Sequence, residues 1–114
     1  AIVECTKNND RMLNVALNYG GRDELVHAFR RLAAEGKKDI TEADISGALY
    51  TAGLPDPDLI VRTAGEMRLS NFLLWQSAYA EYYATDTLWP DMTPHDVDIA
   101  VGEFYKRKRR FGKV

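Results

Sequence analysis

Apolar residues along the chain fall into runs of two kinds. Met12 to Leu17 (MLNVAL) and Leu59 to Val61 (LIV) are short and mostly apolar, the first bounded by Asn9-Asp10 before it and Gly20-Gly21 after it. Such runs predict buried strands. Elsewhere the apolar positions recur every three or four residues. Leu25, Ala28, Phe29, Leu32 and Ala33 do so ahead of Gly36. Ile45, Ala48, Leu49 and Ala52 do so between Thr41-Glu42-Ala43-Asp44, a capping box with Asp in place of Glu, and Gly53. Each set predicts a helix closed by a glycine. Phe72 to Tyr79 is apolar nearly all round, which predicts a helix enclosed by neighbours. Tyr82-Tyr83 suits a short strand and Trp89-Pro90 a turn. A last helix is expected after Thr93: Pro94 suits its first position, Asp96 and Asp98 complement the dipole, and Val97, Ala100 or Val101, and Phe104 line one face.

Strands alternating with helices, the strands apolar throughout, describe an α/β fold: part of a mostly parallel central sheet covered by helices on both faces. Ligands of such sheets bind outside the carboxyl ends of the strands. "NYGGR" (Asn18 to Arg22) and "RTAGEMRLS" (Arg62 to Ser70) stand at those ends.

Composition narrows the class. The 114 residues suit one domain, and 46% hydrophobic with 28% charged residues is ordinary for a globular chain. No apolar run approaches bilayer-spanning length. The single cysteine, Cys5, makes no internal disulfide, so a reducing compartment is expected. A net charge of -2 argues against broad nucleic-acid binding, although Lys106 to Arg110 holds five of the 15 lysines and arginines. The opening "AIVEC" has no capping residue ahead of Ala1, Ile2 and Val3 and reads as the tail of a helix begun earlier, which suggests a fragment.

The stretch from Arg62 to Ser70 carries the most chemistry. A turn at Gly65 can aim backbone N–H groups at a ligand, and Ser70 at a helix start adds a hydroxyl beside a partly positive end. Arg62 and Arg68 supply planar forks that grip phosphate oxygens in pairs. Together they would form a pocket for a diphosphate. Equally open from the pattern is that both arginines pair with Glu66, Asp56 or Asp58 and that Ser70 only caps a helix.

"NYGGRDEL", followed by "DPDLIVRTAGEMRLSNFLLWQSAYAEYYATDTLWPDM" and a closing "RRFG", resembles the C-terminal portion of the cis-prenyltransferases, the undecaprenyl diphosphate synthase family. The likeness covers most of the chain and is strongest from Asp56 to Asp91. It implies that residues 1–114 are the C-terminal part of a single catalytic domain. That domain would extend an allylic diphosphate, typically farnesyl diphosphate, with isopentenyl diphosphate units in cis geometry, using Mg2+, to give a polyprenyl diphosphate such as undecaprenyl diphosphate. By the resemblance Arg62, Arg68 and Ser70 bind the diphosphate of isopentenyl diphosphate, Glu66 orients the arginines, and Glu81 helps hold the magnesium ion. Arg110 and Gly112 match an R-x-G element that crosses a homodimer interface to contact diphosphate in the partner's site. Without the resemblance, Glu81 reads as a solvated carboxylate, the basic run as a dipole-compensating helix end or a contact to anionic lipid, and Phe72 and Trp75 as core.

Met67 stands where the family often has histidine or glutamine, and Ala84 where it has an aromatic. The family's D-G-N-x-R-W stretch does not occur here, so the chain is expected to need the N-terminal part of the same protein and to be inactive alone. The implied location is the cytoplasm, with peripheral contact at the inner face of the membrane an open alternative. A non-catalytic subunit of a heteromeric prenyltransferase and a plain phosphate-binding module stay open as alternative functions. Product length is not legible.

Overall fold

A computed structural model of the chain describes residues 2–8 and 11–107. In element order these are β1 (Ile2–Asn8), β2 (Arg11–Leu17), α1 (Gly21–Ala34), α2 (Glu42–Ala48), β3 (Leu59–Arg62), β4 (Glu81–Ala84), a 3-10 turn (Trp89–Asp91) and α3 (Pro94–Lys106). They fall into two units, one of Ala1–Pro55 with Ser70–Trp75, the other of Asp56–Leu69 with Gln76–Val114.

In the first unit β1 and β2 form an antiparallel hairpin with Ile2 opposite Leu17 and Asn8 opposite Arg11. Two expectations change here. The opening residues form a strand, not the tail of a helix, in keeping with the β-branched Ile2, Val3 and Thr6. Met12 to Leu17 is a strand as expected, but an exposed one: Leu13 is 65% exposed. Among the described residues the helices of this unit pack on each other and not on the hairpin.

The core of the unit is Ala28 and Leu32 of α1 against Ile45, Ala48 and Leu49 at α2, with Leu25 and Trp75 packed on it. These are positions that the helical periodicity picked out. At the end of α1 the N–H of Gly36 donates to Ala33 O and that of Lys37 to Leu32 O, both at 3.0 Å. This is the Schellman arrangement, which a left-handed residue permits, and Gly36 has φ +74°. The capping box of α2 forms as read, the N–H of Asp44 donating to Thr41 Oγ1 and that of Thr41 to Asp44 Oδ2. The helix itself ends at Ala48, with Leu49 as its cap, so Ala52 lies in the turns that follow.

Glu24 of α1 is 1% exposed. Its carboxylate accepts hydrogen bonds from the Tyr19 hydroxyl and, at 2.9 Å, from the Tyr50 N–H. A buried acid is tolerated when its oxygens are so occupied, and here it ties both ends of the helical pair together.

Phe72 to Tyr79 is not a helix. Ser70, Asn71 and Leu73 take positive φ of 48°, 65° and 45°, incompatible with right-handed helical backbone for non-glycine residues. The segment turns because Asn71 serves the start of α1, where Gly20 offers no side-chain cap: Asn71 O accepts from the Gly21 N–H at 2.7 Å, and its Oδ1 accepts from the Arg22 N–H at 2.9 Å. Trp75 is core as expected and donates from Nε1 to Ser46 Oγ at 3.0 Å. Phe72 stays 41% exposed and meets the Tyr19 ring edge to face.

In the second unit β3 and β4 pair in parallel, Leu59 opposite Glu81 and Arg62 opposite Ala84, with α3 packed on both strands. The expected α/β class with a parallel strand pair is therefore present. Thr93 caps α3 in a capping box with Asp96, and Pro94 opens it. Ala100, 0% exposed, faces inward while Val101 stays exposed.

Candidate functional site

Arg62 is the last residue of β3, and the loop after it is fastened to the end of β4. The N–H of Thr85 donates to Arg62 O (2.9 Å), that of Gly65 to Thr85 O (2.8 Å), and that of Ala64 to Thr87 O (3.0 Å). The pairing thus runs past the strands through a turn with two successive left-handed residues, Ala64 (φ 65°) and Gly65 (φ 67°). A Cβ on Gly65 would lie 2.8 Å from Asp86 Oδ1, a side-chain tip that can swing aside, so glycine is favoured here by its positive φ. The expected purpose of this turn is corrected: the N–H groups of Ala64 and Gly65 are spent on Thr87 and Thr85 and do not face a ligand.

What the turn does is bring three charged side chains together. Arg62 Nη2 lies 2.8 Å from Glu66 Oε2, and Arg68 Nη2 lies 2.8 Å from Glu66 Oε1. Arg68 Nε also donates to Glu66 Oε2 at 3.3 Å, making a two-pronged fork, and Arg62 Nη1 reaches Arg68 O at 3.4 Å. Hydrogen bonds and charge from Arg68 first, then Arg62, hold the Glu66 carboxyl below the usual carboxylate range, and Glu66 raises Arg68 in turn. Of the carboxylates left open by the sequence, Glu66 is the one that pairs with both arginines. Two guanidinium groups thus share one carboxylate in a solvent-facing loop. Each guanidinium carries five N–H donors and uses two here.

Ser70 does not start a helix, and it belongs to the segment that serves the other unit. Its expected role beside a helix dipole is therefore absent.

Glu81 opens β4, three positions back from the residue opposite Arg62. Strand geometry separates the two by roughly 10 Å along the ribbon and on alternate faces. Glu81 is held instead by Arg107, the residue that caps α3: Arg107 Nη1 donates to Glu81 Oε2 at 3.2 Å and to Tyr82 O at 2.6 Å. Among the described residues no group of three or more His, Cys, Asp or Glu could cage a metal ion, and no helix is long and apolar enough to cross a membrane. Arg110 and Gly112 lie outside the described residues.

Two residues that sequence reasoning passed over thus matter locally. Arg107 was hidden inside a basic run. Asn71 could have been suspected, because asparagine tolerates left-handed backbone and carries an acceptor suited to a helix start.

Known proteins are similar to this chain in sequence and in fold. A family model described as putative undecaprenyl diphosphate synthase matches residues 1–112. The isoprenyl transferase of Fusobacterium nucleatum is 55% identical over 112 residues, covering 97% of this chain and 48% of its own. That of Heliobacterium mobile is 53% identical, covering 100% of this chain and 46% of its own. The chain spans about half the length of the curated relatives it matches. Among solved structures, lavandulyl diphosphate synthase from Lavandula x intermedia, in complex with dimethylallyl diphosphate, superposes with TM-score 0.78 at 43% identity, covering 83% of this chain and 44% of that one. A probable undecaprenyl diphosphate synthase from Campylobacter jejuni does so with TM-score 0.72 at 41% identity, covering 85% of this chain and 45% of that one. With a family model over nearly its whole length and relatives above half identity, the chain belongs to the undecaprenyl diphosphate synthase family of prenyltransferases.

Proposed function

We propose that this chain supplies the isopentenyl diphosphate site of a cis-prenyltransferase, which joins that acceptor to an allylic diphosphate such as farnesyl diphosphate to build a polyprenyl diphosphate of the undecaprenyl type. The observation that carries the proposal is the convergence of Arg62 and Arg68 on one carboxylate. Two guanidinium forks held that close together by Glu66 are oriented for an anion with several oxygens. A diphosphate offers more charge and more acceptors than Glu66, so it can draw on the donors that the carboxylate leaves over. Glu66 keeps the forks aligned.

Bound in this way, the acceptor's diphosphate is fixed and its double bond can be presented to the allylic carbon. The allylic diphosphate departs as the new carbon–carbon bond forms, and loss of a proton restores a double bond. The arginines contribute orientation, the largest lever a binding group has on a condensation between two bound reactants.

Magnesium fits the one protein ligand proposed for it, Glu81. No bond to Glu81 Oε1 forms among the described residues, and a single hard carboxylate oxygen suits an ion that takes its remaining ligands from water and substrate phosphates. When bound it would neutralise diphosphate charge. Homodimerisation, the trans contact of Arg110 and Gly112, a cytoplasmic location and a requirement for the N-terminal part of the protein complete the proposal.

The test is steady-state kinetics of the full-length enzyme. A hydrogen bond to a charged group contributes about 1.5–3 kcal/mol, so Arg62→Ala and Arg68→Ala should each raise the KM for isopentenyl diphosphate roughly 10- to 100-fold. An unchanged KM in both variants would refute the assignment.

A further inference from the structure

We infer that Arg107 is a positioning residue for Glu81, fixing which oxygen of that carboxylate is offered to a divalent cation; this rests on the proposal that Glu81 is a metal ligand. Three observations meet at this residue. Arg107 Nη1 lies 3.2 Å from Glu81 Oε2. The same nitrogen donates to Tyr82 O at 2.6 Å, the next residue of β4. The backbone of Arg107 is itself anchored, its N–H donating to Phe104 O at 3.1 Å at the end of α3.

Each observation removes one freedom. The Phe104 bond fixes where the arginine leaves the helix. The Tyr82 bond fixes the guanidinium against the strand, independently of the Glu81 side chain. The ion pair then holds Oε2 on the arginine side, which leaves Oε1 as the oxygen turned to other partners. Glu81 and Arg107 side chains are 26% and 36% exposed, so the pair sits where water can exchange, and its value is orientation more than Coulomb energy. Hydrogen-bond partners behind a metal-binding carboxylate raise its affinity by removing the cost of ordering it. Among the described residues none of the other three ion pairs of this unit has a second anchor on a strand carbonyl: Lys106 meets Glu103 one turn back in the same helix, Arg68 meets Glu66, and Arg62 meets Glu66 and the loop carbonyl of Arg68.

The experiment measures Mn2+ binding to full-length enzyme without substrates, by loss of the free-ion electron paramagnetic resonance signal. Arg107→Met should weaken binding about tenfold, Arg107→Lys should weaken it less but measurably, and the double variant Arg107→Met with Glu81→Gln should bind no worse than Glu81→Gln alone. Lysine keeps the charge but not the planar fork, and it covers the case in which the methionine variant does not fold. If Arg107→Lys matches the parent enzyme, only charge matters and positioning is wrong. If either Arg107 variant binds Mn2+ more tightly, the arginine competes with the ion and the inference is overturned. If Glu81→Gln weakens binding while both Arg107 variants do not, Glu81 remains a ligand and the role of Arg107 falls. If Glu81→Gln itself changes nothing, the metal assignment fails first.

Discussion

Glu66 binds two guanidinium groups with one carboxylate, and its protonation would release both. Because its folded pKa is lowered, chiefly by Arg68, the pairing is present above the pKa of an unfolded glutamate and is lost only as pH falls through the lower, folded value. The arrangement is thus insensitive to pH across the neutral range. A carbon NMR titration of the Glu66 carboxyl should show a midpoint below the ordinary glutamate value of about 4.3, moving back up in Arg68→Ala. A midpoint at or above the ordinary value would show that the forks are not seated on it in solution. Gly65 acts at the same scale, through its backbone: its positive φ and its N–H bond to Thr85 O shape the turn that carries Glu66 back to Arg62.

At the scale of elements, α1 starts without a cap of its own and borrows one from a segment about fifty residues onward in the chain. Asn71→Ala should cost about 1–2 kcal/mol, because it deletes the acceptor for the Arg22 N–H and forces alanine into left-handed backbone. Asn71→Asp keeps the acceptor beside a positive helix end and should come close to the parent. Chemical denaturation of the full-length enzyme separates the two. The same segment shows where sequence reading stops. The helices α1, α2 and α3 were legible because their periodicity, their capping boxes at α2 and α3 and the closing glycine of α1 are local signals; α2 stops at Ala48, short of the Gly53 read as its end. The charged trio was legible as a set of residue types, and Glu66 as partner was one of the open choices. Phe72 to Tyr79 misled because an apolar run has the same composition whether it coils or turns. The deciding bonds came from Gly21 and Arg22, remote in sequence. Arg107 was illegible for a similar reason: nothing in a row of basic residues distinguishes the one that meets a carboxylate across the fold.

At the scale of the whole molecule, the proposed homodimer makes the closing basic residues a contribution from one subunit to the other's site. Mixing Arg110→Ala subunits with Arg62→Ala subunits distinguishes trans from cis action. In a mixed dimer acting in trans, one site keeps Arg62 from its own subunit and Arg110 from its partner, and about one working site per dimer should survive. If the tail acts in cis, both sites are damaged and the mixture is no more active than either parent variant. Activity assays after subunit exchange read the difference directly.

The first unit takes Ser70–Trp75 from the middle of the second, so neither unit is a continuous stretch of polypeptide. A single protease cut after Pro55 would strand the helical pair without Asn71 and Trp75, the residues that finish its helix start and close its interior. Limited proteolysis should accordingly yield either uncut material or rapid breakdown, with no durable fragment corresponding to one unit, and attempts to express one half by trimming at that junction should give an unfolded product.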